Sequence, residues 1–225
     1  MVVKKYAIEN GPKTEDAAPK LDALQSIMGA FGKYQLLLFL LVILTRFPVA
    51  FHQMAIIFLA PVTPYTCKDT NSTGLCPCTN PEYDRTIFPS TIISRWNLIC
   101  EDKWLTSFTQ TIFQLGTLLG SILFGMASDR FGRRSPVVAG VVLQIGMSIG
   151  AAFAPDYWTF TIIRFFVGMS VGGTIVTGYV LVMEFIGTQY RDVCTTFYQV
   201  PFNMGHLLIP LFAYFFRHYA DFQLA

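Results

Sequence analysis

Five stretches of about twenty apolar residues each leave this chain one solvent in which to fold, because a helix of that length crosses a bilayer core. They run over 35–59, 105–127, 136–154, 158–183 and 193–216. Lipid offers no partner to an exposed N–H or C=O, so each stretch is predicted to close its own hydrogen bonds as an α-helix. The fold class is therefore an all-α membrane protein, a bundle of about five transmembrane helices. Arg46, Pro48 and His52 interrupt the first stretch and blur its edges. The fourth carries Gly168, Gly172, Gly173 and Gly178, and small residues at such spacings let neighbouring helices approach in lipid.

Composition excludes other classes. The chain is 53% hydrophobic and 13% charged, on the apolar side of a soluble domain. A net charge of +2 points to no nucleic-acid partner. There is no nucleophile–base pair, nucleotide loop or metal-binding cluster, so no enzyme activity, cofactor or metal is expected. The N-terminal region lacks the basic start, apolar centre and small-residue exit of a signal peptide. The first span is expected to act as its own insertion signal.

Between the second and third stretches, residues 125–134 read Gly-Met-Ala-Ser-Asp-Arg-Phe-Gly-Arg-Arg. Gly125 and Gly132 suit a tight helix-to-helix turn. Arg130, Arg133 and Arg134 beside a membrane pin that turn to the cytoplasmic face. With the N-terminus inside, Lys and Arg number nine on the cytoplasmic segments against five opposite, which predicts a cytoplasmic N-terminus.

The loop over 60–104 votes the same way. It holds Cys67, Cys76, Cys78 and Cys100 together with an N-glycosylation sequon at Asn71. Disulfides and N-glycans belong to the lumenal and extracellular side. Four cysteines allow three pairings, and spacing does not choose among them. A zinc site or idle thiols are the competing readings, the zinc site weakened by the absence of histidine from the loop and by the close spacing of Cys76 and Cys78. Cys194, at the inner end of the fifth stretch, is expected to stay unpaired.

Ahead of the first span, residues 1–19 read as a disordered tail. Over 20–34, Leu21, Leu24, Ile27, Met28 and Phe31 recur at helical spacing, as in an amphipathic helix lying on the membrane lipid. A plain extension of the first membrane helix is the alternative.

Polar positions inside the spans mark candidate contacts. Gln110, Gln114, Thr117 and Ser121 share one face of the second helix, and Gln199, Phe202, Asn203 and His206 one face of the fifth. His52 and Gln53 add a polar patch to the first, while Tyr179 is assigned to packing. Amides can bond a substrate and an aromatic face can stack on an amine; hydrogen bonding between helices is the competing reading. Arg46 lies near the middle of the first span, and Arg164 about two turns into the fourth. A charge at such depth persists only when paired or wet. Each either faces a central cavity and attracts a substrate carboxylate, or pairs with an acid in the missing half or bonds helix carbonyls.

The run over 125–134 resembles the G-x-x-x-D-R-x-G-R-R signature of major facilitator superfamily transporters. Arg164 with Gly168 is similar to that superfamily's fourth-helix R-x-x-x-G element, and Glu184 with Arg191 to the acidic-to-basic pair bridging its fourth and fifth helices. The run over 96–104, Trp-Asn-Leu-Ile-Cys-Glu-Asp-Lys-Trp, narrows the resemblance to the organic cation, carnitine and organic anion transporter family. Residues 31–35 and 210–217 resemble that family too. The resemblance implies the N-terminal bundle of a twelve-helix transporter, spanning 35–216, with residues 217–225 starting a sixth helix. In such proteins substrate sits between two halves at mid-membrane. It further implies that Asp129, Arg133 and Glu184 hold a cytoplasmic gate, that Arg130 and Arg134 face lipid headgroups, and that Gln114, Gln199 and Phe202 line the substrate site.

Two departures stand out: a short extracellular loop with four cysteines, and a resemblance that stops as the sixth helix begins. The expected function is alternating-access transport of a small organic ion, a cation or carnitine-like zwitterion, across the plasma membrane as part of a longer transporter. The missing C-terminal half is then a required partner. A truncated form or membrane scaffold that associates with a full-length relative is the rival.

The sequon generates a direct test. Expressed in glycosylating cells, the chain is expected to shift in gel mobility on glycosidase treatment, and Asn71→Gln to abolish that shift. An unshifted wild-type band on surface-delivered protein contradicts the assignment.

Overall fold

A computed structural model describes residues 33–61, 63–68, 72–73, 76, 78, 80–84, 90–186, 190–217 and 219–224. The tail over 1–19, residues 20–32 of the amphipathic segment and Asn71 lie outside the described residues.

The spans form helices α1 (Lys33–Leu44), α2 (Arg46–Leu59), α4 (Trp104–Phe131), α5 (Arg134–Ala152), α6 (Tyr157–Phe185) and α7 (Arg191–Phe215). The first span is thus two helices, parted at Thr45. By length and composition, four helical stretches among the described residues can cross a membrane: Gln35–Leu59, Cys100–Phe131, Arg134–Ala152 and Tyr157–Glu184. The fifth, α7, is long enough at 25 residues but carries the polar positions Thr195, Thr196, Gln199, Asn203 and His206.

The second span runs four residues further than its apolar pattern, to Phe131. Gly125 therefore lies inside α4, and nothing comes within 4 Å of where its Cβ would be. The expected turn role falls to Gly132 alone, whose φ of +87° is a conformation other residues rarely adopt. Asp129 and Arg130 ride on the last turn of α4, because a helix keeps its hydrogen bonds past the point where its side chains stop being apolar.

Backbone contact between α4 and α6 organises the bundle. A Cβ at Gly116 or Gly120 would strike the backbone of Phe165 or Met169. One at Gly168 or Gly172 would strike that of Phe113 or Thr117. The two helices interlock through reciprocal gaps, and α6 becomes the most enclosed of the four long apolar stretches. Val49, Phe113, Val167 and Val171 form a buried cluster beside this seam.

The loop after α2 folds into a small antiparallel sheet in the order β2-β1-β3, with β1 Tyr65–Cys67, β2 Ser72–Thr73 and β3 Pro81–Tyr83. Helix α3 (Ile92–Trp96) follows, opened by a reciprocal cap between Thr91 and Ser94. Disulfides join Cys67 to Cys78 and Cys76 to Cys100, while Cys194 is free and buried.

The loop then grips the α5 end. Arg95 donates to the Ala154 carbonyl at 3.1 Å and Trp96 to that of Pro155 at 3.2 Å. Tyr219, opening the final short helix α8 (Tyr219–Leu224), donates to the Ala152 carbonyl at 2.8 Å and accepts from Arg95. The Ala152 carbonyl is one that the helix end otherwise leaves bare, and those of Ala154 and Pro155 lie just beyond it.

Two outcomes follow from this packing. Peptide mapping of the unreduced chain is expected to recover Cys67 joined to Cys78 and Cys76 joined to Cys100, with Cys194 alkylated only after unfolding; any other pairing contradicts the loop fold. Gly172→Leu places a side chain against the Thr117 backbone, an overpacking that costs about 1–3 kcal/mol. Its thermal midpoint in detergent is expected to fall by several degrees, and an unchanged midpoint counts against the interlocked seam.

Candidate functional site

Helix α1 stops where Thr45 turns both its N–H and its hydroxyl onto the Val42 carbonyl, at 3.2 and 2.7 Å. Pro48, which lacks an N–H, is tolerated because it falls in the first turn of α2. The helix restarts at Arg46, near the middle of the first span. Its side chain is 4% exposed and reaches across to α7.

There Nη2 donates to Gln199 Oε1 at 3.0 Å. The guanidinium carbon stands 4.5 Å from the centre of the Tyr198 ring and 5.2 Å from that of Phe202. Nε and Nη1 are buried without a hydrogen-bond partner. Helices α2 and α7 come close enough for this because Gly205 faces Ala50: a Cβ there would lie 2.6 Å from the Ala50 Cβ. Phe202 and His206 stack edge-on at 4.5 Å, as their four-residue spacing implies.

Arg46, Gln199 and Phe202 are thus brought together. Gln199 is exposed and Phe202 half-buried, while Tyr198 beneath them is buried. Sequence reasoning missed Tyr198. Its one signal was position, beside Gln199 and one turn before Phe202.

Other candidates go elsewhere. Gln114 is exposed on α4, and no contact among the described residues links it to the Arg46 cluster. Gln110 Nε2 approaches the Gln53 carbonyl at 3.5 Å. Thr117 and Ser121 turn their hydroxyls onto their own helix, at Phe113 and Leu118. His52 bonds Ser148 at 2.9 Å, and that hydroxyl donates to the Gln144 carbonyl. The pair lines a cavity of about 430 Å³ between α2, α5, α7 and α8, bordered by Thr45 and Phe47 but not by the Arg46 side chain.

Arg164 is enclosed between helices. It is 0% exposed, over the Phe113 ring at 4.7 Å, with Nη2 directed at the His52 carbonyl at 3.4 Å. The interlocking of α4 and α6 carries it into the interior, where it meets aromatic face and helix carbonyl, the second of the two fates open to it. Gly168 belongs to that seam, against the Phe113 backbone.

At the far end of the bundle, three charged candidates meet. Arg133 donates to Asp129 Oδ1 at 2.6 Å through Nη1, and to both Glu184 oxygens at 2.8 and 3.0 Å through Nε. Nη1 also reaches the buried Ser128 hydroxyl at 3.2 Å. One guanidinium therefore ties the end of α4 to the end of α6. The hydrogen bond to Asp129, and beyond it the Glu184 charge, push the Arg133 guanidinium above its ordinary value.

Glu184 does not pair with Arg191, whose Nη2 points instead at the Met183 carbonyl at 3.4 Å. Arg191 opens α7 one loop away, whereas Arg133 is delivered by a two-residue turn. Arg130 and Arg134 are exposed and outside the cluster.

The family of sugar (and other) transporters matches residues 36–224. An organic cation transporter-like protein of Drosophila melanogaster is 30% identical over 240 residues, covering 88% of this chain and 42% of that protein. Organic cation/carnitine transporter 4 of Arabidopsis thaliana is 31% identical over 230 residues, covering 98% of this chain and 43% of that protein. The chain therefore spans about two fifths of the length of these curated relatives.

Among solved structures, the inward open xylose transporter XylE from E. coli superposes with a TM-score of 0.57 at 18% identity, over 85% of this chain and 44% of that one. That likeness is one of fold. Family and relatives are membrane transporters and not enzymes. The chain belongs to the major facilitator superfamily, in its organic cation, carnitine and organic anion transporter family, and corresponds to the N-terminal half of such a protein.

Proposed function

We propose that this chain forms half of a plasma-membrane transporter that carries small organic ions by alternating access, within a longer protein that supplies the second half. The observation that carries the reading is the gathering of Arg46, Gln199 and Phe202 at mid-depth, beside a helix interruption. Discontinuous helices in transporters mark where substrate is held. The names of the relatives, organic cation and carnitine transporters, point to the same chemical class.

In this reading the N-terminus and the Arg133 cluster are cytoplasmic, and the disulfide-bonded loop lies outside. Gln114, exposed on α4, joins the cavity wall once the second half covers it. Asp129, Arg133 and Glu184 act as a gate that holds one conformation and breaks in the other. Arg130 and Arg134 face lipid headgroups, Arg164 braces the first span against the fourth, and Arg191 anchors the start of α7.

A gate changes the populations of two conformations and leaves substrate contacts intact. In a transporter that contains both halves, Asp129→Asn and Arg133→Ala are each expected to cut turnover several-fold at matched surface abundance, while equilibrium binding survives. Uptake of labelled amines, carnitine-like zwitterions and organic anions, with surface labelling as the control, measures this. Normal uptake by both variants removes the gating role, and absence of saturable uptake of every probe by the wild type removes the transport reading.

A further inference from the structure

Arg46 is a cation in search of an anion. It lies at mid-depth, 4% exposed, with Nε and Nη1 buried and unpartnered. The acceptor it has is neutral, the Gln199 amide oxygen at 3.0 Å. Among the described residues of α1, α2 and α4 to α7, the carboxylates are Asp129, Glu184 and Asp192, all in the first or last turns at the Arg133 end. Among the described residues, no carboxylate pairs with Arg46.

Arg164, the other buried cation, adds to the imbalance: it contacts α2 through the His52 carbonyl and has no carboxylate either. Desolvated positive charge held on a rigid scaffold favours an anion.

We propose that Arg46 anchors a carboxylate of the transported ion, so that the substrate is an organic anion or a zwitterion and not a bare cation. This rests on the transport reading above and narrows it. Gln199 acts as a placeholder. It is exposed, so its side chain can swing aside and let a carboxylate take its position on Nη2. The planar fork of the guanidinium then offers a second N–H to the other oxygen, the bidentate geometry that suits arginine and not lysine. The released Gln199 amide nitrogen can donate to the same carboxylate. The Tyr198 and Phe202 rings lie 4.5 and 5.2 Å from the guanidinium carbon and hold it in place beside Gln199.

The test compares probes that share a quaternary ammonium head: glycine betaine, which carries a carboxylate, and choline, which does not, with butyrate as the anion alone. Equilibrium binding is measured in lipid nanodiscs on a transporter that contains this chain together with its second half. Betaine and butyrate are expected to bind the wild type more tightly than choline. Arg46→Gln is expected to weaken betaine binding by about tenfold or more, the effect of one charge-assisted bond, while choline binding holds or improves.

Because Arg46→Gln can also impair folding, Gln199→Glu provides a second arm. It places a carboxylate on Arg46 from within the chain, and is expected to block betaine while raising the thermal midpoint. Choline binding as tight as betaine, or betaine binding that survives both substitutions, overturns the carboxylate assignment and leaves transport standing. Failure of all three probes to bind the wild type overturns both.

Discussion

Everything in this bundle hangs on how closely the second and fourth spans approach. Lipid tails are as apolar as leucine, so helices in a membrane gain little from hiding apolar surface and must gain instead from tight packing. Gly116 and Gly120 on one helix, and Gly168 and Gly172 on the other, allow backbone to touch backbone. That contact fixes the relative height of α4 and α6. It sets Phe113 under the Arg164 guanidinium, and it brings the last turn of α4 level with Glu184. The two-residue turn after Phe131 then delivers Arg133 to both carboxylates.

The three paired or buried arginines illustrate how depth decides what a charge does. Arg133 sits at the rim with two carboxylates, and exposed pairs of that kind tune an equilibrium more than they stabilise a fold. Arg46 and Arg164 lie in the interior, held by π faces, a neutral amide and a backbone carbonyl. A buried cation so incompletely compensated is costly, and structures retain such groups where they do something. The two differ in access: Arg46 lies behind an exposed glutamine, whereas Arg164 is sealed between helices.

The opposite end is held by a different device. Carbonyls of Ala152, Ala154 and Pro155, where α5 ends, accept from Tyr219, Arg95 and Trp96. Donors from the disulfide-bonded loop and from α8 thus hold the end of α5, beyond its own backbone cap at Phe153. Through Tyr219, the same clamp seats α8 on the third span and connects the loop to the bundle.

The apolar runs by themselves determined the all-helical membrane fold, because lipid leaves the backbone no other way to satisfy its polar groups. Sequence also marked the charged turn, the four loop cysteines and the polar faces of the second and fifth spans, since each is a local pattern of residue type. It left open which cysteines pair, whether Glu184 meets Arg133 or Arg191, and which interior arginine is accessible. Those depend on contacts between residues far apart in the chain, and they were decided by helix packing. Arg46 reaches Gln199 because Gly205 admits Ala50 at the α2–α7 contact, while Arg164 is enclosed because glycines close the α4–α6 seam. Both are arginines inside apolar helices, and only the geometry of their neighbours tells them apart.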